Sequence, residues 1–318
     1  MKLLVTGGAG YIGSVVVRQL LAAGHQVSVL DDLSTGHADT IPDGVALIEA
    51  PIHDVAAHLT ADTDGVLHFA AKIAAGESVI YPEKYWHTNV QGSLALLEAV
   101  RNAGVPRLVF SSTAAVYGTS DEAMTELTPT GPSNPYGASK LAVDMMTTGE
   151  ARAHGLAAVS LRYFNAAGAS GPLGERHDPE THLIPIALQV AGGEREKLQL
   201  YGDDYDTPDG SCVRDYIHVE DLAAAHVLAL EAVTPHVHKI YNLGTGSGYS
   251  NKQVVDVVRA VTGKPLPVEV GPRRDGDAVT VVASADKAKA ELGWQPAKAS
   301  LEQIITDAWA FHRSFYGE

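Results

Sequence analysis

The chain has 318 residues, 45% hydrophobic and 19% charged, which suits one or two domains with a sizeable core and excludes general disorder. Its formal net charge of −15 argues against nucleic acid or an anionic membrane surface as a partner. One cysteine, Cys212, excludes an intrachain disulfide and fits a reducing cytoplasm. No signal-peptide pattern and no apolar run of about 18 residues is found.

Strands and helices alternate through the first half. Residues 2–6, "KLLVT", read as a short buried strand, and residues 11–23 as a helix with Ile12, Val16, Leu20 and Leu21 on one side, stopped by Gly24. Further strands are predicted at 26–31, 65–71, 107–113 and 158–165, with helices over 88–103 and 136–154 between them. This pattern predicts an α/β fold, a doubly wound parallel sheet of Rossmann type with helices on both faces. After Asn165 the texture changes to loops rich in glycine, proline and acid at 166–182 and 201–211. Residues 215–233 read as a strand and a helix returning to the sheet, and 300–315 as a C-terminal helix. The expected division is a dinucleotide-binding domain over 1–165, completed by about 214–242, and a smaller C-terminal α/β lobe from 166–213 and 243–318.

Three motifs carry chemistry. "GGAGYIG" follows a strand and opens a helix, and both Gly7-x-x-Gly10-x-x-Gly13 and Gly8-x-Gly10-x-x-Gly13 fit it. Glycines let backbone approach a diphosphate resting on the helix N-terminus. The next strand ends at Asp31, 18 residues after Gly13, and residues 32–40 hold no Lys or Arg. An acid there bonds both ribose hydroxyls and repels a 2′-phosphate, so the cofactor expected is NAD and not NADP. In "NPYGASK", Tyr136 and Lys140 share a helix face, with Pro135 in the first turn and Asn134 or Ser133 as the cap. A free phenol, with pKa about 10, is a poor base, and a nearby ammonium or a cationic nicotinamide favours its phenolate. Ser111, Ser112 and Thr113 end a strand on the edge that carries the glycine loop. Cys212 has no base beside it and reads as structural. The 14 histidines look scattered, "TPHVHK" (His236, His238) reads as a surface turn, and no metal site is expected.

Together with "LRYFNAAGA", "VRDYIHVEDLA", "YNLGTG" and "PRRDGD", these motifs resemble the extended short-chain dehydrogenase/reductases, and most of all the UDP-glucose (UDP-galactose) 4-epimerases. The resemblance runs from about residue 1 to about residue 310. It implies NAD-dependent interconversion of UDP-galactose and UDP-glucose, in which Tyr136 takes the 4′-OH proton, C4′ is oxidised, the 4-keto sugar turns over, and C4′ is reduced on its other face. Lys140 then binds the nicotinamide ribose and tunes Tyr136, and Thr113 completes the catalytic site. Around the glycine loop, the implied cofactor contacts are Gly7, Gly10, Tyr11, Ile12 and Gly13. On the next strand end they are Asp31, Asp32, Leu33, Ser34, Thr35 and Gly36, and beyond it Ile52, Phe69, Ala70, Ala71, Asn89, Ser111, Tyr136, Lys140 and Tyr163.

Implied substrate contacts, besides Thr113 and Tyr136, are Asn165 and the phosphate-binding Arg214 and Arg274. Asp277 matches a ribose contact, and Gln199, Leu200 and Tyr201 match the segment lining uracil. His182, with Leu183 after it, stands where some members have Asn. Three departures stand out. Pro51 replaces an Asp that meets adenine. Lys72 is one residue early relative to a lysine near the cofactor, which leaves its reach open. Val281 replaces a bulky aromatic, leaving room for the N-acetyl group of UDP-GlcNAc or UDP-GalNAc. Ala114 and Ala115 after Thr113 lack the acids of a 4,6-dehydratase. A pentose or uronic-acid nucleotide 4-epimerase or decarboxylase remains open, whereas a non-catalytic NAD sensor would not need both Tyr136 and Lys140. Family precedent implies a homodimer through a helix bundle.

Overall fold

The strand β1 (Lys2–Thr6) is apolar over its middle three residues because both faces are covered: Leu3 and Val5 enter one core, Leu4 another. The computed structural model describes every residue except 119, 121, 275, 276 and 318, so the fourth and fifth residues of "PRRDGD" lie outside the description. β1 is joined by β2 (Gln26–Asp31), β3 (Ala46–Glu49), β4 (Gly65–His68), β5 (Arg107–Thr113) and β6 (Ala157–Tyr163). After the short β7 (Asn165–Ala167), β8 (Leu198–Tyr201) and β9 (Val213–His218), the strand β10 (His238–Leu243) completes the main sheet. Its order is β3-β2-β1-β4-β5-β6-β10, with each neighbouring pair parallel. The strand order reverses between β1 and β4, and a doubly wound sheet binds ligands at the carboxyl ends beside that point.

Helices cover both faces. On one lie α1 (Tyr11–Ala22) and, later in the chain, α7 (Val219–Glu231), burying Val16, Leu20, Leu222 and Ala225 against Val29, Leu67 and Val159. On the other, α4 (Gly92–Ala103) buries Leu96, Leu97 and Val100 with Ile52 and Val55, and α5 (Pro135–His154) packs beside it. The short α2 (Ala75–Ile80) and α3 (Pro82–Tyr85) lead into a π-helical turn, Trp86–Gln91, before α4. The segment expected as one helix over 88–103 therefore starts in π geometry, a distortion common at functional sites.

A second core lies among α6 (Leu183–Gly192), α8 (Asn251–Thr262) and α10 (Leu301–Tyr316), with Leu188, Val254, Val258, Ile304 and Trp309 inside it. A capping box from Ser250 and Gln253 starts α8. β11 (Gly248–Ser250), β12 (Val268–Gly271), β13 (Thr280–Val281) and α9 (Asp286–Leu292) complete the chain. β12 pairs with β8, while β11, β13 and β7 all pair with β9.

The segment read as a strand and helix returning to the sheet is corrected in one respect. α7 does pack on the main sheet, but β9 belongs to the smaller one. The slot beside β6 is filled by β10, and the buried carboxylate of Asp215 in β9 accepts N–H groups of Thr245, Gly246 and Ala283. No helix among the described residues is long and apolar enough to cross a membrane.

Candidate active site

The glycine loop turns where β1 meets α1. Gly7 has φ +72°, and a Cβ on it would lie 2.5 Å from the Ala70 nitrogen; one on Gly13 would overlap the Gly7 carbonyl oxygen. Gly7 and Gly13 are thus sterically required, and Gly10 caps α1, whose first N–H groups face the turn. Phe69 and Ala70 donate backbone N–H groups to Thr6, so β4 walls the turn, with Ala71 following. Tyr11 donates to the Gly168 carbonyl at 2.6 Å, and Ile12 packs on the main core.

Asp31 ends β2 as expected. Its carboxylate accepts the N–H of Ala9 and of Leu33, each at 2.9 Å, and Gly36 leaves it space. Burial raises its pKa and these two N–H bonds lower it. Leu33 has φ +55°, Asp32 accepts from the Ser34 N–H, and Thr35 lines a groove with Ala9, Gly10 and Tyr11. Lys72, left open by the sequence, reaches across to the Ser34 hydroxyl at 3.0 Å. Pro51 precedes the 3-10 turn Ile52–Ala57, and Ile52 is buried. Steric need for glycine, an anion-favouring helix start and an acid at the next strand end fit a dinucleotide.

Thr113 ends β5, and α5 brings Tyr136 to it. Asn134 caps α5 by accepting the Gly137 N–H at 2.9 Å, and Pro135 takes the first turn. Gly137 was missed by sequence reasoning. A Cβ there would overlap the Ala115 carbonyl oxygen, so only glycine lets α5 approach the hydroxyl loop this closely. The Tyr136 hydroxyl lies close enough to the Thr113 side chain for the two to interact. Lys140 is 2% exposed and donates to the Ser111 carbonyl at 2.7 Å, above the Phe110 ring. Burial pushes it down to about 7, against an upward pull from Asp144.

The depressed phenol pKa expected for Tyr136 is not found. Burial raises it, and the Thr113 side chain only partly offsets this. The reason is desolvation: an enclosed phenol resists ionisation until a cation enters beside it. Asn89, on the π turn, is also fully engaged. Its amide bonds Lys72 backbone N–H and carbonyl and the Ser139 hydroxyl, and Ser139 in turn donates to the Tyr136 carbonyl. It therefore ties the β4 loop to α5. Tyr163 is buried, its hydroxyl bonded to His226 and near the Ser111 side chain.

The other predicted residues fall on the second lobe and its loops. Asn165 donates to the Asp215 carbonyl at 3.1 Å. The Asp277 carboxylate lies between two guanidiniums, 3.0 Å from Arg274 and 3.9 Å from Arg214, and Arg274 also covers the Tyr201 ring. Gln199 and Tyr201 share the exposed face of β8, whereas Leu200 points into the second core, so its side chain is unavailable. Val281 is half-buried beside Ala114, Tyr117 and Phe164.

His182, ahead of Leu183 at the start of α6, is held by Glu175 at 2.7 Å and Glu180 at 2.8 Å. Burial opposes its charge, but Glu175 and Glu180 outweigh it and push His182 up to about 10. His177 joins the same cluster. The expectation that the histidines are scattered is thus overturned, because a loop gathers two of them around two acids. The surface-turn reading holds for His236 but not for His238, which starts β10 and bonds Thr148 and Ser160. Cys212 is buried.

A glycine turn suited to a dinucleotide, with a half-buried phenol and a buried amine on one helix face, fits a nicotinamide-dependent enzyme that moves a proton as it oxidises or reduces. The model of the NAD dependent epimerase/dehydratase family matches residues 3–244, and the chain belongs to that family, with NAD as its cofactor. The chain is 56% identical over 314 residues to a UDP-glucose 4-epimerase of Corynebacterium glutamicum, covering 98% of this chain and 95% of that protein. A crystal structure of a UDP-glucose 4-epimerase superposes with TM-score 0.94 at 46% identity, covering 99% and 98% of the two chains. The Stenotrophomonas maltophila UDP-glucose-4-epimerase, solved with NAD and formylated UDP-arabinopyranose, superposes with TM-score 0.95 at 39% identity, covering 100% and 99%.

Proposed function

We propose that the protein interconverts UDP-galactose and UDP-glucose by epimerisation at C4′ through a transient 4-keto sugar, with NAD retained through turnover. The observation that carries this reading is the meeting of Thr113, Tyr136 and Lys140 beside the glycine loop, in a chain so similar to UDP-glucose 4-epimerases. Bound NAD supplies the two-electron oxidation and reduction at C4′. Tyr136 accepts the 4′-OH proton and later returns it, and Thr113 holds the same oxygen. Lys140, at about 7, stands on the same helix face, ready to carry the charge that stabilises the phenolate.

Arg214 and Arg274 take the substrate diphosphate, exchanging Asp277 for phosphate oxygens and freeing that carboxylate for the ribose. Tyr201 and Gln199 offer their exposed strand face to uracil, and Asn165 faces the sugar diphosphate. We assign residues 1–165 with about 214–242 to cofactor binding, and the remainder to the sugar nucleotide. The small Val281 admits a 2-N-acetyl group, extending turnover to UDP-GlcNAc and UDP-GalNAc. Exposed Val79, Ile80, Leu94 and Met145 on α2, α4 and α5 support a homodimer through this helical face. Ile80→Glu with Met145→Glu should then halve the mass measured by sedimentation. A lone buried cysteine supports a cytoplasmic setting.

The test offers UDP-galactose, UDP-GlcNAc and UDP-xylose side by side with no added cofactor. UDP-glucose should form from UDP-galactose. Turnover of UDP-xylose alone would assign the protein to pentose nucleotides, and bound NAD with no turnover would make it a sensor.

A further inference from the structure

The loop "ERHDPETH" between β7 and α6 gathers Glu175, His177, Glu180 and His182. One donor atom from each lies within 4.8 Å of all the others. Nδ1 of His182 is 2.7 Å from Glu175 Oε1 and 2.8 Å from Glu180 Oε1. Nδ1 of His177 is 3.0 Å from Glu175 Oε1 and 3.9 Å from Glu180 Oε2. Both carboxylates are more than nine-tenths buried, with side-chain exposures of 8% and 2%. Among the described residues, their only ion-pair partners are these two imidazoles; Arg176, between them in sequence, turns away to Asp39.

Two imidazole nitrogens with two buried carboxylate oxygens form a donor set that suits zinc, whose charge would take over from the imidazolium of His182 in offsetting the two carboxylates. Tetrahedral zinc with bonds near 2.0–2.1 Å places its donors about 3.3 Å apart. The four histidine-carboxylate separations, 2.7 to 3.9 Å, bracket that value, and no pair of donors exceeds 4.8 Å, so shifts of about an ångström would seat an ion.

We propose that this loop binds a structural divalent transition ion of the zinc class, ligated by Glu175, His177, Glu180 and His182. Four protein donors close the shell, as structural sites do, and leave no open position for substrate. The ion's place in the fold gives it a role. Gly174, Arg176 and His177 line the groove opposite Ala9, Gly10 and Tyr11 of the glycine loop. Two further contacts join the loop to that side, His37 to the Arg176 carbonyl and Arg176 to Asp39. Fixing residues 175–182 with a metal would hold this wall against the cofactor-binding turn.

Untagged, full-length protein with its NAD is measured by mass spectrometric metal analysis, then stripped with a chelator and titrated with Co(II). The expected result is one zinc-class ion per chain as purified, and a tetrahedral cobalt d–d band on titration. The unfolding midpoint should rise when zinc is restored. His177→Ala with His182→Ala should weaken cobalt binding more than about ten-fold and abolish the zinc-dependent rise. Wild-type protein with no stoichiometric ion, no cobalt band and no zinc-dependent midpoint would overturn the site. So would a double variant that binds cobalt as well as the wild type. Should that variant fail to fold, Glu175→Gln replaces it with the same expected loss, and the wild-type measurements decide by themselves.

Discussion

The two sides of the cleft are held by different means. On the cofactor side the constraints are steric and buried: Gly7 and Gly13 admit no side chain, Gly137 seats α5 on the hydroxyl loop, and Lys140 is enclosed. On the proposed substrate side they are electrostatic and more open, with two arginines sharing the Asp277 carboxylate and Arg274 stacked on Tyr201. The first side is preorganised, whereas the second, in the proposed reading, exchanges internal ion pairs for substrate contacts. Changes on the cofactor side should therefore strike chemistry and folding, and changes on the substrate side should strike binding.

The largest effect is expected from Tyr136→Phe, which removes the proposed proton acceptor while leaving the ring's packing. Turnover should fall by about 10²–10⁴-fold, with UDP-sugar binding retained in calorimetry. Unaltered turnover would break the contrast at its strongest point. Next comes Lys140→Met. The folded-state value of this lysine, about 7, lies below its ordinary 10.5, so between these values the unfolded chain binds more protons and stability climbs with pH. The cost of its burial is complete below pH 7 and vanishes above 10.5. The variant should therefore be more stable by up to about 5 kcal/mol at and below neutral pH, about 1.4 kcal/mol for each pH step between the two values, with the gain fading toward pH 10.5 in denaturant titrations. Turnover should be lost at the same time.

On the substrate side, Arg214→Ala should raise the KM for UDP-galactose by roughly 10–150-fold with kcat much less affected, the loss of a charge-assisted bond. Arg274→Ala should do less, since its side chain is 58% exposed in the ion pair with Asp277. A kcat effect exceeding the KM effect in either variant would mean that this side, too, is set for the transition state. The smallest effect is expected from Val281→Tyr. It should lower UDP-GlcNAc turnover about ten-fold and spare UDP-galactose. A wild type inert toward UDP-GlcNAc would remove the role given to Val281.

The same division governs what could be read from the sequence. Gly7, Gly10, Gly13 and Asp31 mark a local strand-turn-helix unit, and Asn134-Pro135 marks a helix start, because these features act over a few residues. The parallel sheet followed from the same periodicities. What was illegible depends on distant partners. Nothing local tells that β9 leaves the main sheet, since Asp215 is fixed by Thr245, Gly246 and Ala283. Nor does it tell that Gly137 faces Ala115, that Lys72 meets Ser34, or that Leu200 turns inward. The acids and histidines of "ERHDPETH" were visible as letters, but only a folded loop makes them neighbours.

Tyr136 acting on C4′ in an enclosed cleft is tested most directly with UDP-galactose carrying deuterium at C4′, converted in ordinary water with no added NAD. The expected product is UDP-glucose that retains the deuterium at C4′, because the hydrogen removed from that carbon returns to it. UDP-glucose with the label lost to solvent would contradict oxidation and reduction at C4′ within a closed site.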